Sequence, residues 1–388
     1  MFSTRTRFDL TPNRLAAVLA AKRRAGTKLF DLTLSNPTRA GLPYPDDLLE
    51  LLADDAGLRY DPSPQGMLDA RLAVAADYAR RGFAVDPDRL VLTASTSEAY
   101  AFLFKLLADP GDEVLVPRPG YPLFDFLAGL ETVRTSSYPL VYDGDWHIDL
   151  PGLRAAITER TRAIVVVNPG NPTGSYLKAS ELTALHALCA GHGLALVSDE
   201  VFADFAAGPD PRRVTSVAED GPALAFSMGG LSKSCGLPQL KLGWIAVSGP
   251  EGVRQEALAR LELVADTYLS VATPVQVAAP TLLSRVSELQ APLRSRIGRN
   301  RTALRRAVGS RSPATVLASE GGWYGVLQVP ATLGEEERTL RLLESQDVLV
   351  HPGYFFDFAR EAFLVVSLLP PTEEFDEGVR RLLADLVL

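Results

Sequence analysis

The chain has 388 residues, of which 47% are hydrophobic and 22% charged, and its formal net charge is −8 at pH 7. This acidic balance offers no basic face to nucleic acid, and no apolar run approaches the roughly 20 residues of a membrane helix. Cys189 and Cys235 are too few for a disulfide framework, and the first ten residues lack the apolar stretch of a signal peptide. We therefore expect a cytoplasmic protein with neither nucleic acid nor a membrane as its partner.

The length fits two domains or one large α/β domain. In chain order, the first predicted elements are a helix over residues 11–24, a strand over 28–34 and a helix over 67–81. Two loops lie between them, at residues 35–39 and 60–66, and both are rich in proline and small polar residues. Taken alone, such loops are typical of simple connections.

The next segment combines a predicted strand with a helix start that is rich in hydroxyl groups. Residues 90–93 read as a strand, and Ser95 and Glu98 have the spacing of a capping box that opens an apolar helix to about residue 107. A helix start exposes unpaired N–H groups and the positive end of the helix dipole, so it is a ready phosphate site. Because capping boxes are common, the pattern also fits a purely structural role.

Two later strands end in polar motifs. Residues 163–167 form a continuous apolar run, typical of a strand buried on both faces, and run into the sequence N-P-G-N-P-T-G at 168–174. The predicted strand 194–197 is followed by Asp199 and Glu200. A carboxylate at the C-terminal end of a central strand lies where open α/β sheets bind ligands, which makes Asp199 a candidate. Glu200 is expected to be solvated.

Lys233 stands in a small-residue loop between two apolar runs, 223–226 and 244–247, which both read as buried strands. This placement does not suit a surface charge. Burial there would remove water from the ammonium group, lower its pKa and free the amine to attack a carbonyl. We therefore interpret Lys233 as the candidate nucleophile of the chain.

The C-terminal third predicts a second, smaller α/β unit. A helix and turn over 250–267 precede a helical, arginine-rich region at about 276–306, whose charge we interpret as a solvated surface. From about residue 320 the pattern predicts a helix over 335–345, strands over 348–350 and 363–367, and a last helix.

Together these segments resemble the class I and II aminotransferases, pyridoxal-phosphate enzymes of fold type I. The resemblance lies in Gly230-Leu231-Ser232-Lys233, in Asn171-Pro172-Thr173-Gly174 and in Asp199, with 28 and 34 residues separating Asn171, Asp199 and Lys233. It implies an α/β fold whose large domain, residues 45–281, has a mostly parallel seven-stranded sheet between helices. Residues 1–44 and 282–388 would form a smaller α/β domain.

The resemblance also implies pyridoxal 5'-phosphate as the cofactor, no metal, and a role for each matching residue. Lys233 would bind the cofactor covalently, Asp199 would keep its pyridine nitrogen protonated, and Asn171 would hydrogen-bond its phenolic oxygen. Asn36 and Arg39 would line the substrate pocket. The remaining cofactor contacts that the resemblance implies are those of Ser95, Thr96, Ser97, Tyr121, Phe202, Ser232, Lys241 and, from the partner subunit of a homodimer, Tyr60.

Three positions depart from the family pattern. The arginine that binds the phosphate is replaced by Lys241, which keeps the charge but loses the bidentate fork. A tyrosine three residues after the aspartate is replaced by Phe202. The arginine that usually binds the substrate carboxylate is replaced by Val365, and this departure leaves the substrate open.

The leading hypothesis is an aminotransferase that moves an amino group between an amino acid and a 2-oxo acid. The alternative is a lyase, a decarboxylase or a biosynthetic amino-acid-modifying enzyme on the same fold, which Val365 favours. A non-catalytic module that binds the cofactor is disfavoured because no DNA-binding segment precedes the domain. A nicotinamide dehydrogenase is weaker still, since no G-x-G-x-x-G follows a strand.

Overall fold

The computed structural model describes residues 1–310 and 312–387. Its helices are α1 (Arg14–Arg24), α2 (Leu68–Arg80), α3 (Thr96–Leu107), α4 (Phe124–Leu130), α5 (Leu150–Ala156), α6 (Ala179–His192), α7 (Leu231–Ser234), α8 (Glu251–Tyr268), α9 (Thr273–Ser284), α10 (Val286–Val308), α11 (Glu335–Gln346) and α12 (Thr372–Asp385). Its strands are β1 (Phe30–Asp31), β2 (Leu90–Thr93), β3 (Glu113–Arg118), β4 (Arg134–Tyr142), β5 (Trp146–Ile148), β6 (Thr161–Val167), β7 (Ala195–Asp199), β8 (Ala225–Gly230), β9 (Gly243–Ser248), β10 (Thr315–Val316), β11 (Tyr324–Gln328), β12 (Val348–Leu349), β13 (His351–Pro352) and β14 (Phe363–Ser367).

A mostly parallel sheet forms the large part of the molecule. Its strand order in the described residues is β2-β9-β8-β7-β6-β3-β4-β5, with parallel pairing from β4 through β3, β6 and β7 to β8. Strand β9 is antiparallel to both its neighbours. This confirms the predicted fold class. The sheet has eight strands rather than seven because β4 turns back at Gly144, whose φ is +117°, and pairs with β5.

The central strands are buried on both faces, as the apolar run at 163–167 predicted. Successive side chains of a strand point to opposite faces, so Val165 and Val197 pack in one apolar cluster with residues of α3 and α8. Ile164 and Leu196 pack in another cluster with residues of α6. Helices therefore cover both faces of the sheet. A ligand site is then expected at the carboxyl ends of the strands, where the polar residues lie.

A second, smaller unit joins the two ends of the chain. Strands β10, β11, β14 and β13 form an antiparallel sheet, and β1 pairs in parallel with β12. Phe30 and Leu32 share an apolar core with Leu342, Leu364 and Leu382. The N-terminal segment therefore packs with the C-terminal third of the chain. The predicted domain boundaries near residues 45 and 281 stay a prediction.

Two local expectations differ from the structure. Lys233 lies in the short helix α7, directly after β8, rather than in a loop. The arginine-rich region consists of α9 and α10, and its charge is not wholly solvated. Arg296 donates to the carbonyl oxygens of Ala40 and Leu369, and Arg301 donates to Gly322, because these loop carbonyls have no regular partner. Among the described helices, none has the length and the apolar composition needed to cross a bilayer.

Candidate active site

A cavity with about 690 Å³ of empty space, which includes the open solvent at its mouth, lies at the carboxyl ends of β6 and β7. Val167 and Asp199, which are register partners at the ends of these strands, both line it. This is the edge at which open α/β sheets bind ligands. The lining residues are Ser35, Thr96, Ser97, Tyr100, Tyr121, Val167, Asn171, Asp199, Val201, Phe202, Ser232, Lys233 and Tyr324.

Lys233 projects its amine into an aromatic environment. Its Nζ lies 5.8 Å from the ring centroid of Phe202 and 5.2 Å from that of Trp323. Burial lowers the pKa of Lys233, and the nearby Asp199 carboxylate opposes this shift. A lowered pKa increases the fraction of free amine at neutral pH, which is the nucleophilic form.

Asp199 is the last residue of β7 and is held from two sides. The Tyr100 hydroxyl donates to its Oδ2 at 3.1 Å, and the Val201 amide donates to its Oδ1 at 3.2 Å. Burial raises the pKa of Asp199 to about 6, although both hydrogen bonds favour the ionised form. Tyr100 was not among the predicted site residues. It follows Thr96 by four residues, so the two side chains share one face of α3. That spacing was an available signal.

The N-terminus of α3 presents hydroxyl groups to the cavity. Ser95 is the N-cap, and its Oγ accepts the Glu98 amide at 3.2 Å, so its side chain serves the helix and is not among the lining residues. Thr96 and Ser97, in the first turn, do line the cavity. Their position combines free helix N–H groups with the positive end of the dipole and so suits an anion. Lys241 is exposed and does not line the cavity.

Asn171 contributes an unsatisfied amide. It lines the cavity, and its Oδ1 is buried without a hydrogen-bond partner in the described residues. Buried polar atoms of this kind usually signal a missing ligand or a solvent molecule. A carboxylate, an amine, an amide, hydroxyls at a helix start and aromatic walls therefore converge on one cavity. This donor set fits pyridoxal phosphate.

Glu200 is a correction, since it is not solvated but 4% exposed. Its Oε1 accepts the Val217 amide at 2.8 Å, and its Oε2 accepts the Ser227 hydroxyl at 2.6 Å. The Glu200 amide also donates to the Met228 carbonyl oxygen, so the residue ties the end of β7 to β8 and to the 216–217 segment. Its donors allow the carboxylate to be buried.

Besides Ser95 and Lys241, three further predicted residues lie outside the cavity lining. Asn36 is exposed, and its Oδ1 accepts the amide and hydroxyl of Thr38. Arg39 is exposed as well, and Tyr60 is 78% exposed. Ser35 and Tyr324 line the cavity instead. The sequence analysis did not single them out, although Ser35 begins the loop that contains Asn36 and Arg39.

The position of the expected arginine is apolar. Val365 is fully buried and packs in a cluster with Trp146, Leu317, Val326, Phe356 and Phe363, which we call the Val365 cluster. The cluster joins the β4–β5 hairpin to the small unit, since Trp146 belongs to the former and Val326 and Val365 to the latter. An apolar side chain here thus contributes to the packing between the two parts of the molecule.

The chain belongs to the family of aminotransferases of class I and II, whose model matches residues 43–382. It is accordingly a pyridoxal-phosphate-dependent aminotransferase, which transfers an amino group between an amino acid and a 2-oxo acid.

Three known proteins illustrate its similarities. The chain is 29% identical to an alanine aminotransferase of Mycobacterium tuberculosis over 92% of this chain and 85% of that protein. It is 32% identical to the S-alkyl-thiohydroximate lyase SUR1 of Arabidopsis thaliana over 63% of this chain and 53% of that protein. The alanine aminotransferase structure of Pyrococcus furiosus shares the fold, with a TM-score of 0.89, 24% identity and full coverage of both chains.

Proposed function

We propose that Lys233 and Asp199 carry the aminotransferase reaction of this chain. The observation behind the proposal is that a buried amine of lowered pKa and a buried carboxylate share one cavity at the carboxyl edge of the parallel sheet. When bound, the cofactor supplies an electron sink next to the substrate amino group. Lys233 would hold the cofactor and would move the proton to and from the substrate Cα.

The other lining residues orient the reactants. Asp199 would keep the ring nitrogen protonated, and Tyr100 and the Val201 amide fix the direction of its carboxylate. Thr96, Ser97, Ser232 and Lys241 would hold the phosphate. The Nδ2 group of Asn171 would donate to the phenolic oxygen, and Tyr121 and Phe202 would flank the ring. Ser95 acts indirectly, as the N-cap that fixes the start of α3.

A labelling experiment tests the role of Lys233. Borohydride reduction of the holoenzyme should leave the cofactor attached to the chain at residue 233, read by peptide mass spectrometry. Lys233→Ala should fold and carry no label, whereas Lys105→Ala, which removes a lysine paired with Glu131, should be labelled like the wild type. Label retained on the Lys233→Ala protein would contradict the assignment.

Alanine is the amino donor that we propose first, because the Mycobacterium tuberculosis relative bears that name. A lyase reaction on the same cofactor is the second candidate, favoured by Val365 and by the name of the Arabidopsis thaliana relative. A donor screen distinguishes them, since transamination yields a 2-oxo acid and an aminated cofactor, whereas elimination releases ammonia. For the location we propose the cytoplasm, in keeping with the two free, buried cysteines.

We further propose a homodimer in which Tyr60 serves the partner's cavity. Tyr60 is 78% exposed and outside the lining of its own cavity, and apolar neighbours near it are also exposed, namely Leu58, Leu68 and Leu72. Apolar side chains concentrated in one exposed segment are typical of an interface. By the family pattern, Asn36 and Arg39 would approach the substrate when such a dimer closes.

A further inference from the structure

The end of the cavity that remains for substrate is neutral. Of the described residues that line the cavity, Lys233 alone is cationic and Asp199 alone is anionic. In the proposed function, both are engaged by the cofactor, as are the hydroxyls at the start of α3. A substrate carboxylate therefore needs a partner among the neutral lining groups, because an unpaired charge in a closed site is strongly disfavoured.

The register of the small sheet places one neutral lining group on the same face as the missing arginine. Tyr324 pairs with Ser367 and Val326 pairs with Val365. Register partners, and residues two apart on one strand, point to the same face, so these four side chains share a face. Val326 and Val365 are buried in the Val365 cluster, and the Ser367 hydroxyl accepts the Leu369 amide at 3.2 Å. On this face, Tyr324 is the residue that lines the cavity.

Ser35 approaches the same end of the cavity from the N-terminal segment. It is half-buried and lines the cavity together with Tyr324. Burial raises the pKa of Tyr324, so its phenol stays protonated and can donate at neutral pH. Two hydroxyl groups from different parts of the chain therefore line one cavity, and Tyr324 also packs against the Val365 cluster.

We propose that the hydroxyl groups of Tyr324 and Ser35 bind the substrate carboxylate, in place of an arginine of this chain. The proposal rests on the proposed function. Hydroxyl donors form short, charge-assisted hydrogen bonds with carboxylates but lack the bidentate fork of arginine. With no further cation in the cavity lining, amino acids with a neutral side chain should bind better than acidic ones.

The test measures how the holoenzyme binds propanoate, which has a carboxylate and no amino group, by calorimetry. Tyr324→Phe should raise the Kd for propanoate about tenfold, equivalent to about 1.4 kcal/mol, and Ser35→Ala should raise it less. The matched control is Tyr142→Phe. Tyr142 also packs against the Val365 cluster, and its hydroxyl accepts the Ala318 amide at 3.0 Å, but it does not line the cavity. The Kd of the Tyr142→Phe variant for propanoate should equal that of the wild type.

The proposal is overturned if neither Tyr324→Phe nor Ser35→Ala changes the Kd, or if the wild type does not bind propanoate. Either result would favour an arginine from a partner subunit or a substrate without a carboxylate. It is overturned too if Tyr324→Phe weakens cofactor binding as strongly as propanoate binding, since that indicates a structural role. Failure of the wild type to transaminate any donor would contradict the proposed residues of the reaction, while the propanoate result would still decide the carboxylate site.

Discussion

Two buried ionisable residues define the chemistry at the residue scale. Burial raises the pKa of Asp199 and lowers that of Lys233, while their opposite charges act against both shifts. The surrounding protein thus favours the neutral form of each side chain. A bound cofactor with a positively charged ring nitrogen would lower the pKa of Asp199 and favour its ionised form. Opposite pKa shifts of a buried acid and a buried base in one cavity are typical of catalytic groups.

The shift of Asp199 predicts a stability change in the cofactor-free protein. Its pKa rises from 3.8 in the unfolded chain to about 6 in the folded one. Between these values the folded state binds more protons than the unfolded state, so the stability falls as the pH rises. Asp199→Asn removes this penalty and keeps an acceptor for Tyr100. The free energy of unfolding should rise by up to about 3 kcal/mol at pH 7.

Denaturation of the cofactor-free wild type and of Asp199→Asn, at pH 4 and pH 7, measures this change. At pH 4 the difference should shrink to about 0.6 kcal/mol, because Asp199 is then protonated in the folded state and partly ionised in the unfolded chain. The charged or titratable groups around Asp199 are Lys233, Glu200, Tyr100 and Tyr121, and the variant leaves all of them in place. An Asp199→Asn protein that is less stable than the wild type at pH 7 would show that the carboxylate is stabilised rather than penalised.

At the scale of elements, the sequence predicted what depends on neighbouring residues. Local apolar patterns and capping predicted both β7 and α3. Strand β7 ends at Asp199, two residues beyond the predicted end at residue 197, and α3 starts at Thr96, directly after its predicted cap Ser95. The contribution of Tyr324 depends instead on its register with β14 and on a cavity that it lines together with Ser35, from the other end of the chain. No local pattern encodes either feature. Glu200 was misjudged for the same reason, since its donors Val217 and Ser227 are distant in sequence.

The Val365 cluster predicts the result of restoring the family's arginine. Val365→Arg would place a cation among buried aromatic and aliphatic side chains, with no acidic residue in the cluster to pair with it. The free energy of unfolding should therefore fall by several kcal/mol. Urea denaturation measures the loss. The matched control is Val141→Arg, because Val141 is an exposed valine of β4 and the same substitution there should change the stability by less than about 0.5 kcal/mol.

The opposite outcome would also be informative about this position. If Val365→Arg were as stable as Val141→Arg, the new guanidinium would have reached the cavity instead of the cluster. Tighter binding of propanoate by the same variant would support that explanation. Such a result would mean that apolar packing does not explain why this chain lacks an arginine at position 365.

At the scale of the whole molecule, the cavity is assembled from both units. Asp199 ends β7 of the large sheet, and Lys233 lies in α7, directly after β8 of the same sheet. Tyr324 lies in β11 of the small sheet, and Ser35 follows β1, which pairs with β12 in the C-terminal third. The Val365 cluster joins the two units near this cavity, through Trp146 on the β4–β5 hairpin. Changes in how the units pack would therefore alter the substrate end more than the cofactor end.

The proposed dimer predicts that two inactive variants restore activity when they are mixed. Lys233→Ala should be inactive because it lacks the reacting amine, and Tyr60→Phe should be strongly impaired because it lacks the hydroxyl offered to the partner. After joint unfolding and refolding in equal amounts, half of the dimers should be mixed. Each mixed dimer has one cavity with both Lys233 and Tyr60, so about a quarter of all cavities should be intact.

The measurement is transaminase activity per subunit against the two variants refolded separately. Recovery near a quarter of the wild-type value would support shared cavities, because neither variant holds an intact cavity by itself. The control replaces Tyr60→Phe with Asp199→Ala. Like Lys233→Ala, this variant disables the cavity of its own subunit, so a mixed dimer of these two has no intact cavity. If native mass spectrometry finds mixed dimers while the Tyr60→Phe mixture stays as inactive as this control, Tyr60 does not serve the partner's cavity. Its 78% exposure would then require another explanation.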